Sequence, residues 1–147
     1  PVGDINGIRD RLLDVMWDGV GVLRDAGGIT RAQQQLCELK SELQGCGLAD
    51  PNRVFNLSWH DWLNLESLIE VSEVIASAAL SRENSRGAHF REDHPDAGAM
   101  QDSYFTLATG SDKNISVARA PVQFTIVKPG ETLLGADEAE TLVGAAE

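Results

Sequence analysis

The chain has 147 residues, a formal charge of −11 and an apolar fraction of 42%. That length suits one domain or one domain with a small appendage, and the apolar fraction is too high for a disordered segment. The acidic balance excludes a nucleic-acid surface, which needs a basic face, and does not suit anionic lipid. The start, PVGDINGIRD, has neither a basic nor an apolar signal region and lacks an initiator Met, as expected after removal of Met before Pro or in an excised piece. The longest apolar stretch, near Val74 to Leu80, is far too short to span a bilayer. Cys37 and Cys46 match no zinc or redox spacing and read as reduced structural thiols.

Residues 4–26 read as a helix whose stripe is Ile5, Ile8, Leu12, Val15, Gly19 and Val22. Asp4 is its expected N-cap and Gly27-Gly28 its stop. Gly19 and Gly21 lie inside the pattern, pointing to a close helix contact or an early break. Residues 31–44 read as a second helix on Ile29, Ala32, Leu36, Leu39 and Leu43, with Thr30 and Gln33 as a capping box and Gly45 as its end. A loop follows at Asp50-Pro51-Asn52.

Residues 59–84 read as the longest helix, with Ser58 as N-cap and Leu57 stapled to Trp62. Its expected inner stripe is Trp62, Leu65, Leu68, Ile69, Ser72, Ile75, Ala76 and Ala79. Three amphipathic helices with these connections pack as antiparallel neighbours, a spectrin-repeat-like bundle. Short strands are expected at 103–109, 115–118 and 122–127, with Pro121 starting the last. Two or three such strands are marginal alone and need a surface to lie on. The end carries Glu131, Asp137, Glu138, Glu140 and Glu147 with no Lys or Arg, an acidic tail with weak helical tendency at 136–143. The fold class is therefore mainly α: a three-helix bundle over 1–95, a small two- or three-stranded β extension over 96–130, and the tail over 131–147.

The candidate chemistry is sparse. His89, Glu92, Asp93 and His94 are close together, but the two His are five apart and do not share a helical face, so no metal ligand set is assigned. Ser81, Ser85, His89 and Asp93 supply triad residue types without a nucleophile elbow. Gly19-Val20-Gly21 lacks the third glycine and the preceding strand of a dinucleotide loop. No catalytic or cofactor-binding residue is assigned either. What remains is SRGAHFRED (residues 85–93), a dense polar run behind a helix. Gly87 is expected as the C′ glycine of that helix. The run reads either as a solvated helix end or as a docking surface, in which Arg forks meet carboxylates or carbonyls.

SRENSRGAHFREDHPD (residues 81–96) resembles a stretch in the flavoprotein subunits of succinate dehydrogenases and fumarate reductases, and L-aspartate oxidases carry a relaxed version. Met16, Gly21, Val22 and Arg24 resemble the family's first-helix end, and PVQFTIVKPG (residues 121–130) resembles its closing strand. The likeness covers most of residues 5–128. Asn84 departs from the family's usual Glu, which bears on one salt bridge at the segment, and the end after Gly130 matches no family feature.

The resemblance implies a C-terminal three-helix domain with a β extension, preceded in the parent by flavin-binding and capping domains. In the parent, hydride passes between a dicarboxylate and FAD, and the family's flavin-attachment His and substrate-binding His and Arg belong to those earlier domains. The implied role here is support, not catalysis, with no FAD held by this chain. Arg86, Gly87, His89, Arg91 and Asp93 are expected to meet the other domains, with an iron–sulfur subunit as a second neighbour. The implied setting is cytoplasmic, peripheral at the inner membrane through partner subunits, without insertion of this chain. The alternatives are the C-terminal domain of an L-aspartate oxidase, or a stand-alone three-helix binding module.

Overall fold

The computed structural model describes residues 2–48, 50, 52, 54–111 and 114–132. Three helices, α1 (Ile5–Val20), α2 (Ala26–Gly45) and α3 (Leu57–Ser81), form the expected antiparallel bundle. Cross-contacts fix the directions. Arg11 near the start of α1 pairs with Glu42 near the end of α2 at 2.7 Å. Trp62 Nε1 on α3 donates to the Leu43 carbonyl of α2 at 3.1 Å, and Gln33 Nε2 reaches Ser77 Oγ at the other end. The core is Ile8 and Leu12 of α1, the full predicted stripe of α2, and Leu65, Ile69, Ala76 and Ala79 of α3. Burying each large side chain stabilises the fold by about 1.5–3 kcal/mol. The α3 stripe is narrower than expected: Leu68 and Ile75 are exposed.

The helix ends differ from those expected, each for a local reason. α1 stops at Gly21, where a Cβ would collide with the Trp17 carbonyl oxygen. Gly19, by contrast, is a contact glycine: a Cβ there would lie 2.8 Å from the Ala32 Cβ. Gly27-Gly28 is not a stop but the first turn of α2, because Asp25 caps that helix by accepting from Gly28 N at 2.9 Å. Thr30 is consequently interior, its hydroxyl donating to the Ala26 carbonyl, and forms no capping box. Asn56, not Ser58, caps α3 by accepting from Trp59 N at 2.9 Å, and Leu57 faces solvent, so no staple forms.

Two strand pairs complete the fold. β1 (Leu23–Arg24) and β2 (Phe90–Arg91) pair in parallel, Leu23 with Phe90 and Arg24 with Arg91. This pair, absent from the expected strands, joins the α1–α2 connection to the polar segment. After a 3₁₀ turn at Met100–Asp102, β3 (Tyr104–Ser111) and β4 (Asn114–Pro121) form an antiparallel hairpin in register from Tyr104↔Pro121 to Ser111↔Asn114. The hairpin lies on α3, where Arg119 Nη2 donates to the Ser81 carbonyl at 2.8 Å and its guanidinium stacks over Tyr104. The strand expected at 122–127 does not form. Pro121 ends β4 rather than starting a strand. Val122 N still donates to Ser103 O at 2.9 Å, but the hairpin ladder does not continue past Pro121. The weak helix expected at 136–143 lies outside the described residues.

Candidate domain interface at the polar end of the bundle

The polar segment closes the end of the bundle where α1 and α3 finish and α2 begins. A helix leaves its last carbonyls and first N–H groups unpaired, and a buried end must find partners for them. Arg91 supplies them for α3. The residue is 1% exposed, and Nη1 donates to the carbonyls of Ala79, Leu80 and Arg82 at 3.0–3.2 Å. Its other nitrogens, Nε and Nη2, form a two-pronged fork to Asp93 at 2.7 Å each. Asp93 in turn accepts from Ala26 N, the first residue of α2, at 2.9 Å. One ion pair thus ties the end of α3 to the start of α2. The hydrogen bond from Arg91 holds the Asp93 carboxyl well below the usual carboxylate range, and the same bond raises the Arg91 pKa.

His89 is also enclosed, at 7% exposure. Its Nδ1 lies 2.6 Å from Arg24 Nη1. Arginine cannot accept, so Nδ1 accepts and the neutral ring carries its proton on Nε2. Burial pushes the His89 pKa down to about 4, and the neighbouring charges of Arg82, Arg24 and Arg91 push the same way. Arg24 Nε caps the end of α1 through the carbonyls of Val20 and Gly21 at 3.0 and 2.7 Å.

The turn carrying these residues is tight. Arg86 and His89 exchange backbone hydrogen bonds of 2.9 and 3.1 Å around Gly87-Ala88. Gly87 has φ +58°, the left-handed value required at the first central position of such a turn, so it does not serve as the C′ glycine of α3. Arg86 faces the other way and donates to the carbonyls of Ala97 and Ala99 and to Ser103 Oγ, fastening the link to the hairpin. Ser85 Oγ accepts from Arg91 N at 2.8 Å and donates to the His94 carbonyl.

The five residues singled out in the sequence therefore cluster around one segment, and their polar side chains make bonds inside the chain. Arg24 was quoted only within the resemblance; nothing in its local sequence signals a bond to His89 65 residues away. The outer side of the segment is apolar. Leu23 and Phe90, paired in register, are exposed beside Val22, and Trp17 on α1 is exposed as well. The glycine pair Gly19 and Gly21 is consumed by helix packing and helix termination, so it does not form a flavin phosphate loop. Among the described residues no three His, Cys, Asp or Glu side chains converge on a metal site, and no helix is long and apolar enough to cross a membrane.

Bundle, polar segment and hairpin together define a mainly helical domain with a small β part. Residues 9–133 match the family model described as the fumarate reductase flavoprotein C-terminus, and the chain belongs to that family. It is 31% identical to the fumarate reductase flavoprotein subunit of Haemophilus influenzae over 95% of this chain and 23% of that protein. It is 38% identical to L-aspartate oxidase 1 of Ralstonia nicotianae over 58% of this chain and 15% of that one. In three dimensions it resembles a quinol-fumarate reductase solved with menaquinol molecules, with a TM-score of 0.80, 26% identity, and coverage of 87% of this chain and 23% of that one. A Mycobacterium smegmatis Sdh1 complex gives a TM-score of 0.71 at 28% identity, covering 95% of this chain and 24% of that one. The chain thus spans only 15–24% of the length of these relatives.

Proposed function

We propose that the chain is the supporting C-terminal domain of an FAD-dependent flavoprotein subunit that interconverts fumarate and succinate, and that it performs no chemistry alone. FAD and the dicarboxylate are held by the flavin-binding and capping domains of the longer protein, and an iron–sulfur subunit is the second neighbour. The observation that carries this reading is the family match over residues 9–133, joined to a polar segment held rigidly from within. Arg86, Gly87, His89, Arg91 and Asp93 act at the domain interface chiefly by fixing the segment's shape, which presents the exposed Leu23–Phe90 pair to the neighbouring domain. The division into a bundle over 1–95, an extension over 96–130 and a tail over 131–147 belongs to the same proposal. Fumarate reduction is preferred to aspartate oxidation because the fumarate reductase relative matches 95% of the chain and the aspartate oxidase relative 58%.

The test uses the longer protein with its flavin. An Arg86→Ala, His89→Ala double variant is expected to lose flavin on dilution and to lose fumarate-reducing activity in proportion. A paired Leu23→Asp, Phe90→Asp variant is expected to do the same while the bundle itself stays folded. Full flavin retention and full activity in both variants would refute the support role.

A further inference from the structure

The run 122–127 alternates as a strand does, with Val122, Phe124 and Ile126 on one parity and the neutral Gln123 and Thr125 on the other. It continues directly from β4, and the Val122 N to Ser103 O bond is the last rung on the β3 side. Beyond that rung the chain bends at Thr125 and Ile126. Among the described residues, no backbone N–H or C=O group of residues 123–127 takes part in a hydrogen bond. Phe124 is 37% and Ile126 81% exposed. No charged residue stands between Arg119 and Lys128, in a chain whose net charge is −11.

An uncharged, β-rich run with unpaired backbone groups is a template for pairing, and proteins that leave one open guard it with charge or proline. Neither guard lies within 122–127. A sheet edge supplies what the run lacks: backbone acceptors and donors at strand spacing, and seats for alternate side chains. We propose that residues 122–127 form a strand added to the open edge of a β-sheet in another domain of the longer protein. The hairpin of this chain stops short of the run, which lies inside the stretch matched to the family, and the relatives extend well beyond that stretch. This contact rests on the reading of the chain as part of a longer protein, and it uses different residues from the Leu23–Phe90 pair.

The test is amide hydrogen exchange in the longer protein with its flavin, resolved residue by residue over 123–127 and referred to the free peptide PVQFTIVKPG. Successive N–H groups of a strand point to opposite sides, so an added edge strand bonds every second one. Exchange is expected to slow about 100-fold or more at alternate residues, either Phe124 and Ile126 or Gln123, Thr125 and Val127. Of Phe124→Pro and Thr125→Pro, the one on the slowed parity is expected to return its companions to the peptide rate, and the other to act more weakly. Exchange at the peptide rate throughout overturns the proposal. Equal slowing at all five residues does so too, since it marks enclosure without edge pairing. Slowing that fades as the protein is diluted marks pairing between two copies and also overturns it, as does slowing that survives both proline variants. Should neither proline variant fold, the exchange pattern of the unaltered protein decides alone. Fast exchange here, with flavin lost from the Leu23→Asp, Phe90→Asp variant, removes the strand contact and leaves the supporting role. Alternate slowing, with flavin and activity retained in both variants of the supporting-role test, does the reverse.

Discussion

The middle of the bundle and its polar end each hold fully buried side chains, by opposite physics. In the middle, Ile8, Leu12, Leu36, Leu65 and Ile69 are removed from water by non-directional packing, which tolerates exchange among side chains of similar volume. At the end, Arg91 is equally buried, but each of its side-chain nitrogens has an assigned acceptor. The first region makes the chain compact. The second decides where α2 starts, where α3 stops and which way the turn at Gly87 faces. A helical domain can thus keep a generic core while its working surface is specified by a few directional bonds.

The largest expected effect comes from placing the same residue in both regions. Leu36→Met nearly conserves volume and is expected to cost less than about 1.5 kcal/mol. Arg91→Met leaves the carbonyls of Ala79, Leu80 and Arg82 and both Asp93 oxygens without that donor. Its expected cost is about 3 kcal/mol or more, because each carbonyl at the buried end of α3 that is left without a donor costs about 1–3 kcal/mol. Urea unfolding of the two variants measures the difference. Equal costs would show that Arg91 acts only as packing volume, and the contrast between the regions would collapse.

Acid separates the regions next, because His89 and Asp93, whose pKa values are displaced downward, both lie at the polar end. The folded His89 pKa is about 4 against an ordinary 6.5, so between these values the unfolded chain binds the proton that the folded chain refuses. The stability this contributes is complete above pH 6.5 and is lost as pH falls from 6.5 towards 4, by up to about 3 kcal/mol. Below that window Asp93, whose carboxyl is held low by Arg91, adds a further loss as it protonates. Unfolding midpoints measured from pH 7 to pH 4 should fall in the unaltered chain and fall less in His89→Gln. Parallel curves would place the acid sensitivity elsewhere.

Much of the bundle is legible because its signal is periodic. The stripe Ile29, Ala32, Leu36, Leu39, Leu43 is buried at every position. Helix ends are less legible because their partners are remote: Ala26 N is capped by Asp93, 67 residues later. The β1–β2 pair has two residues per strand, too short for any alternation to register, and its parallel partner comes from the far side of α3. The run 122–127 does alternate, but alternation states only that a strand could form, not that a neighbour exists to pair with it. At the site, the residue types of SRGAHFRED announce directional bonding, and the family resemblance locates the segment. That Arg91 turns inward could not be read, because it depends on where the last carbonyls of α3 end. For the same reason Arg24, a lone cation in a short connection, escaped notice as the neighbour of His89.

The smallest effect sharpens the contrast from the opposite end of the bundle. Asn56 caps α3 by accepting from Trp59 N, and its amide donates to the carbonyls of Asp50 and Asn52 at 2.7 and 2.6 Å. It is thus a directional anchor too, but a neutral one at a loop end, with nothing equivalent to the Arg91–Asp93 fork behind it. Asn56→Ala is expected to cost about 1 kcal/mol, the usual loss of a helix cap. Asn56→Asp keeps the acceptor and favours the positive helix start, so it should recover the part due to the cap and leave the loop bonds broken. If hydrogen exchange at Trp59 and His60 N–H accelerates in Asn56→Ala while exchange around Arg91 stays unchanged, the two ends are independent devices. If protection falls at both ends together, the bundle transmits the damage, and the polar end is held by the whole core rather than by its own bonds.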